Sequence, residues 1–575
     1  MYRLTICLLA ALFLTLPPQA EARTNKTRFD ALAAQILESL QAFYPVRATE
    51  KGIHTYDHKL ADYSQRSVNR MISRLDSFEK KLYRYRNVFR DPEDRINYEL
   101  IKSDVDVALL DLKRIKWYRR SPMLYVDEAT NGIYLLMVSR YAPLSERLIS
   151  ILGRMKQVPG LFATARRNLR KPPQVWKDLA LESLESTSEF YRQVASELMN
   201  KFPERADEIL KYSTAAREAM NDFANYLRDM PTGSPTAFAI NKQNYDYLLA
   251  HQYFLSFDAD SLLRIGETLL EKARRDYDAY REYMDEHYQN GTDSVFVPAS
   301  FNRQDILDYY GWEVNQVKLF LRTNNLLSVP EDIAPVEVVE TPPFLRSMIP
   351  GIAYQPAGPF DSVQVGYFYV RPIPKDLDRR QLESRYRYVY RRGFKGSVVH
   401  EAYPGHHLQM QIAGRHPSPI RKWNDNTMMI EGWALYCEEM MYHAGLYGDE
   451  DPPMWLAILG GIRFRAARIV ADVKLHTGKF TYQQCVDWMS DVLEAESESE
   501  KDYIKRSVRK YTATPTVWMS YLMGKREIQR LHDSYMAAHP QATDKEFYDA
   551  MLAEGSIPPT LMWDALGLKP VAAGK

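Results

Sequence analysis

The amino-acid sequence predicts a large, mainly α-helical protein with a small β-sheet ahead of its C-terminal helices. Apolar residues recur every three or four positions through most of the 575-residue chain, as they do along one face of a helix. In residues 329–376 this pattern gives way to frequent prolines and short β-type runs. The composition, 45% hydrophobic and 12% aromatic, excludes a disordered chain. Because no linker, low-complexity tract or repeat is visible, we expect one large unit whose lobes face a central cleft.

Residues 1–22 have the features of a secretory signal. Arg3 supplies a positive start, residues 4–16 are apolar, and Ala20 and Ala22 form a small-x-small cleavage site. The apolar run is too short to span a bilayer, and no later segment reaches about 18 uncharged apolar residues. We therefore expect an exported protein, periplasmic or secreted, that leaves the membrane after cleavage. The alternative is an uncleaved N-terminal anchor.

The charge balance also limits the partners. The chain has 75 basic and 74 acidic residues, which argues against nucleic acid or an anionic membrane surface as a main partner. Cys437 and Cys485 remain after the signal, and an exported protein permits a disulfide between them. Cys437 is equally compatible with a buried apolar position. The sequence leaves the oligomeric state open.

Residues 23–328 are expected to form an array of antiparallel helices. Apolar residues repeat at helical spacing from Phe29 to Phe43, and Pro45 ends the run. Similar patterns recur in residues 60–90, 94–118, 174–200, 206–229, 259–289 and 303–323. The array either walls the cleft or serves as a plain scaffold.

Residues 329–575 are expected to carry the chemistry. Residues 336–339 and 365–370 have the composition of strands. The segment 364–371 is a candidate edge strand that pairs with an extended substrate backbone, with a purely structural hairpin as the alternative. Three helices are expected next: residues 379–391, a helix that begins near Gly396, and residues 427–442.

A histidine cluster is the strongest functional signal. The chain has 12 histidines, and three of them, His400, His406 and His407, fall within eight positions. Two imidazoles and a downstream carboxylate, here Glu431, are a typical ligand set for zinc. A glutamate next to the first histidine, here Glu401, is typical of the base that activates a water molecule. The motif therefore predicts a hydrolytic metal site with one Zn²⁺ per chain.

The spacing between the histidines differs from the usual separation of four residues on one helix face. On a straight helix His407 would share the face of His400 but lie about 10 Å farther along the axis. Pro404 and Gly405 predict a break that folds the second histidine back towards the first. We favour His407 as the second ligand because it shares that face, with His406 as the alternative. Glu438, seven residues after Glu431, either orients a ligand imidazole or is an ordinary surface glutamate.

Four motifs of the C-terminal half resemble a known family. The strings HEAYPGHHLQ, EGWALYCE, DVKLH and RKYTATPTVWMSYLMGK, which lie within residues 340–530, resemble the bacterial "domain of unknown function 885" family. That family is similar to gluzincin metallopeptidases, including angiotensin-converting-enzyme-like and tyrosine-carboxypeptidase-like members. The resemblance implies a zincin-like helical fold with the small sheet beside the active-site helix.

The resemblance also suggests roles for residues beyond the histidine motif. Arg465, Arg468, Asp472 and His476 recur every three or four residues, and the resemblance suggests that their helix face looks into the site. His476 would then be a catalytic donor to the developing oxyanion, and Arg468 would receive a carboxylate of the substrate. Tyr511 and Tyr521 are further candidates for substrate binding.

These expectations combine into a zinc-dependent hydrolase of peptide or other amide bonds, acting on small peptides. The alternatives are a non-catalytic exported metal-binding protein and a hydrolase of a non-peptide amide or ester. The sequence contains no Walker motif, dinucleotide-binding fingerprint or Gly-x-Ser-x-Gly elbow, which removes nucleotide-dependent and serine-hydrolase mechanisms.

Overall fold

The computed structural model describes residues 18–288, 303–342, 352–372, 377–381, 383, 393–448 and 452–569. Helices account for 71% of the described residues and strands for 3%, which confirms the mainly α class. Within the described residues, no helix is both long enough and apolar enough to cross a membrane. Most of the expected signal segment lies outside the described residues.

The N-terminal part consists of helices, most of which pack against a helix next to them in the sequence. They are α1 (Pro18–Phe43), α2 (Pro45–Glu50), α3 (Gln65–Leu82), α4 (Pro92–Leu109), α5 (Trp117–Arg120), α6 (Met123–Val138), α7 (Leu144–Asn168), α8 (Gln174–Lys201), α9 (Ala206–Asp229), α10 (Lys242–His251), α11 (Ala259–His287) and α12 (Arg303–Thr323). The predicted helices after residue 170 agree with these bounds to within two residues. Helices α2, α5, α6, α7 and α10 were not predicted. Helix α6 is apolar around most of its circumference, so its sequence lacks the one-sided pattern of a surface helix.

A three-stranded sheet follows, made of β1 (Val336–Glu340), β2 (Ile352–Gln355) and β3 (Gly366–Val370). The strand order is β1-β3-β2, with β3 parallel to β1 and antiparallel to β2. The prediction that segment 364–371 forms an edge strand is therefore wrong, because β3 is hydrogen-bonded on both sides. Its burial explains its continuous apolar sequence. The edge that lies beside the histidine motif is β2, a four-residue strand too short to recognise from the sequence.

The C-terminal helices carry the motifs. They are α13 (Gly393–Glu401), α14 (His406–Ala413), α15 (Pro419–Trp423), α16 (Thr427–His443), α17 (Pro452–His476), α18 (Tyr482–Val492), α19 (Glu498–Tyr511), α20 (Ser520–Ala538), α21 (Asp544–Ala553) and α22 (Pro559–Ala565). Local sequence sets several of their starts: Thr481, Ser497 and Thr543 each form a capping box with the Glu or Gln three residues later. The helix predicted for residues 379–391 lies largely outside the described residues.

Two glycine contacts set the packing around the motifs. An added Cβ on Gly266 would lie 2.7 Å from Ile469 Cγ2, so α11 and α17 approach closely at this point. An added Cβ on Gly524 would lie 2.0 Å from the Met428 carbonyl oxygen, and one on Gly432 would lie 2.5 Å from the Gly524 carbonyl carbon. Helices α16 and α20 therefore cross in backbone contact, next to Glu431.

Two apolar cores hold the helices together, and each draws residues from both sides of residue 328. The larger extends from Phe29 to Trp563 and includes the sheet and helices α13 and α14. The smaller lies between α10, α11 and α17. Cys437 and Cys485 are both buried free thiols, so they do not form a disulfide.

Candidate metal centre

The helix that carries the histidine motif is interrupted by a bulge, which adds two residues to one helical turn. Helix α13 ends at Glu401 and α14 begins at His406. Across the break, the Gly405 N–H donates to the Val399 carbonyl at 3.0 Å, and the Leu408 N–H donates to the Ala402 carbonyl at 3.2 Å. Both bonds span six residues, whereas a regular helix spans four. His406 therefore takes the position relative to His400 that residue i+4 has on an unbroken helix.

Gly405 and Trp433 stabilise this bulge. An added Cβ on Gly405 would lie 1.9 Å from the His400 carbonyl oxygen, so any larger residue would force the two segments apart. The Trp433 indole N–H donates to the Pro404 carbonyl at 2.8 Å, and both groups are buried. Because Trp433 lies two residues after Glu431, this bond also fixes α16 against the bulge.

Three side chains converge at the bulge. His400 Nε2 and His406 Nε2 each lie 3.7 Å from Glu431 Oε2. The two imidazole rings are nearly perpendicular, with an interplanar angle of 82° and a centroid distance of 4.8 Å. One potential ligand atom from each of the three residues falls within 4.8 Å of the others. Elsewhere in the described ranges, no three His, Cys, Asp or Glu side chains converge in this way.

The geometry fits a zinc ion. A tetrahedral zinc with ligand bonds of 2.0–2.1 Å holds its ligand atoms about 3.4 Å apart. The observed 3.7 Å separations are close to that value and too long for hydrogen bonds. The His406 ring is buried, and its Nδ1 has no hydrogen-bond partner in the described part of the chain. Its Nε2 lies 3.7 Å from Glu431, and an ion there would give the buried ring a strong polar interaction, although Nδ1 itself would stay without a partner.

Glu438 supports the first ligand from behind. Its Oε1 lies 2.8 Å from His400 Nδ1, which leaves His400 Nε2 facing the cluster. Arg465 Nη2 lies 3.3 Å from the same Glu438 oxygen and balances its charge. A carboxylate on the far nitrogen of a ligand imidazole is the usual support in zinc sites. Of the two predicted readings of Glu438, the structure favours the one in which it orients His400.

The charges around the cluster favour a bound cation. Burial alone would lower the pKa of His400, but the carboxylates of Glu431 and Glu438 outweigh it and raise that pKa to about 10. Burial lowers the pKa of His406 to about 4, so this imidazole is neutral at pH 7. Burial opposes ionisation of Glu431, but the two histidines lower its pKa to about 2. His400 therefore carries a proton that a metal ion would replace.

Glu401 lies beside the three potential ligands without joining them. Its Oε2 accepts a hydrogen bond of 3.2 Å from the backbone N–H of Tyr354 on the edge strand β2. Burial raises the pKa of Glu401 to about 7, although the charge on His400 opposes this. A carboxyl group with this pKa exchanges protons readily near neutral pH.

The preference for His407 as the second ligand is wrong, because its ring points away from the cluster. His407 Nε2 lies 2.9 Å from the Ala334 carbonyl oxygen, and its Nδ1 lies 2.9 Å from the Tyr354 hydroxyl. The side chain is fully buried between the sheet and α14. The predicted break is present, but it adds two residues to a turn, which brings residue i+6 to the cluster in place of residue i+7.

The catalytic role predicted for His476 is contradicted as well. The residue is fully buried, and its Nε2 lies 2.9 Å from the Tyr511 carbonyl oxygen. Its ring packs near Phe238 and Tyr245 in the smaller core. Because His476 lies eleven residues after Arg465, it is about 16 Å farther along the helix axis and cannot reach the same site.

The other three predicted residues lie together. Burial raises the pKa of the Tyr521 hydroxyl, and Tyr521 lies near enough to Glu431 for that carboxylate to raise it further, so Tyr521 lies beside the cluster. Arg468 stacks 5.0 Å from the centre of the Tyr521 ring, and its Nε donates to the Tyr511 hydroxyl at 3.0 Å. Tyr511 is fully buried and therefore supports Arg468 without facing a substrate.

Comparison with known proteins identifies the family. Residues 45–566 match the family described as "Bacterial protein of unknown function (DUF885)". The chain belongs to the DUF885 family. No curated protein matches it.

Two solved structures share the fold of this DUF885 protein. One is a presumed lipoprotein of unknown function from Shewanella oneidensis, 21% identical, with a TM-score of 0.73 over 92% of this chain and 98% of that one. The other is a presumed lipoprotein from Colwellia psychrerythraea, 18% identical, with a TM-score of 0.74 over 94% and 98% of the two chains.

Several residues that build the DUF885 site were not predicted from the sequence. The backbone of Tyr354 holds Glu401, and Trp433 holds the bulge. Both act through contacts between segments far apart in sequence, for which the sequence has no local signal. The glycines of EGWALYCE and YLMGK do have a local sequence signal, because a glycine inside a helical pattern often marks a close backbone approach.

Proposed function

We propose that this DUF885 protein is an exported zinc-dependent hydrolase of peptide bonds in small peptides. The observation that carries the proposal is the convergence of His400, His406 and Glu431 beside Glu401, a carboxyl group poised near neutral pH. Residues 1–22 have signal features, and presumed lipoproteins share the fold, which supports export.

The ligand set favours a catalytic role for the metal over a structural one. His400, His406 and Glu431 would hold the ion, and zinc bound there would supply a Lewis acid for the attacking water and the scissile carbonyl. Structural zinc sites usually have four protein ligands and are rich in cysteine. Here three side chains converge, and neither described cysteine is among them. The His400 and Glu431 side chains keep 13% and 21% of their surface exposed, so water can reach the cluster.

Glu401 and Tyr521 would have separate roles in the reaction. Glu401 would accept a proton from the attacking water and deliver it to the leaving nitrogen, with the Tyr354 N–H holding its carboxylate in place. Tyr521 is neutral, because burial raises its pKa, so its hydroxyl would donate a hydrogen bond to the substrate carbonyl oxygen.

Two substitutions test this proposal. The Glu401→Gln variant should keep about one zinc per chain and its fold, but lose hydrolysis of a mixed peptide library by about 10²–10⁴-fold, because only the proton acceptor is removed. The His400→Ala variant should lose the zinc itself. Zinc content is measured by elemental analysis, and cleavage by mass spectrometry.

His443→Ala is the matched control, since His443 lies on the same helix as Glu431 with 61% of its side chain exposed. It should keep both zinc and activity. Undiminished zinc in His400→Ala would refute the metal site. Bound zinc without cleavage of any peptide would favour the non-catalytic alternative, and cleavage of only non-peptide amides or esters would favour the other hydrolase.

A further inference from the structure

We infer that His407 is a positioning residue for Glu401, which it holds in place through Tyr354. The inference rests on the proposed hydrolase function, in which Glu401 is the base. Two contacts carry it: the Tyr354 hydroxyl lies 2.9 Å from His407 Nδ1, and the Tyr354 backbone N–H donates to Glu401 Oε2 at 3.2 Å. The two adjacent histidines then serve different parts of the site, His406 the metal and His407 the base.

Strand β2 can hold Glu401 because it lies at the edge of the sheet. Within the described residues, β2 is hydrogen-bonded to β3 on one side only, where Tyr354 lies opposite Phe368. The Tyr354 N–H donates to Glu401 on α13, outside the sheet. A strand of four residues with a partner on one side has few backbone bonds to fix it. The position of this N–H therefore depends on what holds the Tyr354 side chain.

The His407 ring gives the Tyr354 hydroxyl a defined acceptor. His407 Nε2 lies 2.9 Å from the Ala334 carbonyl oxygen, and because a carbonyl can only accept, Nε2 carries the ring proton. In the neutral ring Nδ1 is then the acceptor, and the Tyr354 hydroxyl donates to it. The Tyr403 ring packs edge-on against His407, with a centroid distance of 5.2 Å and an interplanar angle of 74°. The imidazole is therefore fixed in both direction and tautomer.

Gly366 on β3 leaves room for this contact. An added Cβ on Gly366 would lie 2.4 Å from the Tyr354 hydroxyl oxygen and 2.9 Å from His407 Nδ1. Gly366 is the one glycine in the three described strands. A glycine inside a strand weakens the strand and often marks the close approach of another group. Any larger residue would push the hydroxyl away from the imidazole.

The proposed reaction requires Glu401 to be in place when the water molecule loses its proton. Glu401 would take that proton as the water oxygen bonds to the scissile carbonyl carbon, and would pass it to the leaving nitrogen as the C–N bond breaks. A misplacement of about 1 Å can lower a rate by about 10²-fold. His407 would thus act on kcat through the Tyr354 N–H, without contact with the substrate or the metal.

Two substitutions of His407 separate positioning from packing. The side-chain oxygen of Asn reaches the place of Nδ1 and can still accept from Tyr354, whereas the amide of Gln reaches the place of Nε2 and leaves that acceptor out. His407→Asn should keep kcat within about threefold of the wild type, and His407→Gln should lower kcat about 10- to 100-fold with KM unchanged. Both should keep about one zinc per chain. Packing alone predicts the reverse order, because Gln fills more of the buried space.

Tyr354→Phe is a milder change that removes the same contact from its other end, and it should lower kcat to a similar extent. In a double-mutant cycle, His407→Gln should add little to Tyr354→Phe, since both remove one interaction. His443→Gln is the matched control, because His443 is 61% exposed, and it should leave kcat and zinc unchanged. Losses that multiply in the double variant would overturn the inference, as would a wild-type kcat in His407→Gln.

Hydrogen exchange of strand β2 provides a readout that does not depend on cleavage. A peptide covering residues 352–355 should exchange equally slowly in the wild type and His407→Asn, and about 10-fold faster in His407→Gln and Tyr354→Phe. Mass spectrometry measures this exchange. Unchanged exchange in His407→Gln would overturn the positioning role and leave the hydrolase intact. If the wild-type zinc protein cleaves no peptide, the hydrolase proposal fails, and the exchange alone decides whether His407 holds the strand.

Discussion

At the scale of single residues, the hydrogen bonds of the ring nitrogens distinguish the two adjacent histidines. His407 has both nitrogens occupied, by the Ala334 carbonyl and the Tyr354 hydroxyl. His406 has neither nitrogen bonded within the described chain and faces Glu431. Both rings are buried, and burial lowers both pKa values to about 4. The two histidines are therefore both neutral at pH 7, and their protonation states do not distinguish them. The free nitrogens make His406 the candidate ligand and His407 a structural contact between the sheet and α14.

The first prediction follows from this difference. His406→Ala should lose stoichiometric zinc because a ligand is removed. His407→Ala should keep zinc but unfold more easily, by about 2–4 kcal/mol, because it leaves a cavity and two unpaired groups. Elemental analysis and denaturant titration measure the two effects. The reverse pattern, with zinc retained in His406→Ala and lost in His407→Ala, would move the site to the other ring.

At the scale of elements, the bulge between α13 and α14 matters most for the site. Two bonds that span six residues insert extra length into one turn, and the contact of Gly405 with the His400 carbonyl makes the turn compact. Helices on either side keep their ordinary bonds. The bulge thereby converts a wide histidine spacing in the sequence into a short distance between two rings.

The second prediction concerns this element. Gly405→Ala should destabilise the protein by about 3 kcal/mol and weaken zinc binding, since the new methyl group would have to displace the His400 backbone. Gly414→Ala is the control, because its added Cβ would meet nothing closer than 3.3 Å, the Met410 carbonyl oxygen. Zinc titration and thermal unfolding measure both variants. A Gly405→Ala protein with full zinc affinity would show that the histidines converge without the tight turn.

At the scale of the whole molecule, a charged network ties the N-terminal helices to the sheet. His54 Nδ1 lies 2.8 Å from Asp57, and its Nε2 lies 2.7 Å from Asp361, in the segment between β2 and β3. The ring also stacks on Tyr141, with a centroid distance of 3.3 Å. Burial alone would lower the pKa of His54, but the two aspartates raise it to about 9. The imidazole therefore stays protonated through neutral pH.

The third prediction is a stability change with pH. Because the folded pKa of His54 exceeds its unfolded value of about 6.5, the stabilisation is complete below pH 6.5 and is lost as the pH rises through 9. After allowance for solvent screening we expect a loss of about 1–2 kcal/mol. Urea denaturation of the wild type and His54→Gln at pH 6.5 and pH 9.5 measures it. The two proteins should differ at pH 6.5 and converge at pH 9.5, and a constant difference would remove His54 as the source.

The sequence determined the features that depend on neighbouring residues. Helical periodicity gave the mainly α class and the bounds of several long helices. The composition of residues 336–339 and 365–370 predicted two of the three strands. Pro404 and Gly405 predicted a helix break because their steric effects are local. The pairing of His400 with Glu401, and Glu431 downstream, identified the segments that meet at the candidate site.

How those segments meet depends on the packing of the folded chain. His406 rather than His407 faces Glu431 because the break adds two residues to a turn, and because Ala334 and Tyr354 hold the other ring. His476 and Arg468 share a helix face in the sequence pattern, yet the first is buried in a core and the second lies beside Tyr521. Periodicity specifies which residues share a helix face, but what that face meets depends on helices hundreds of residues away. The direction of a ring and the partner of a charge are therefore properties of the packed molecule.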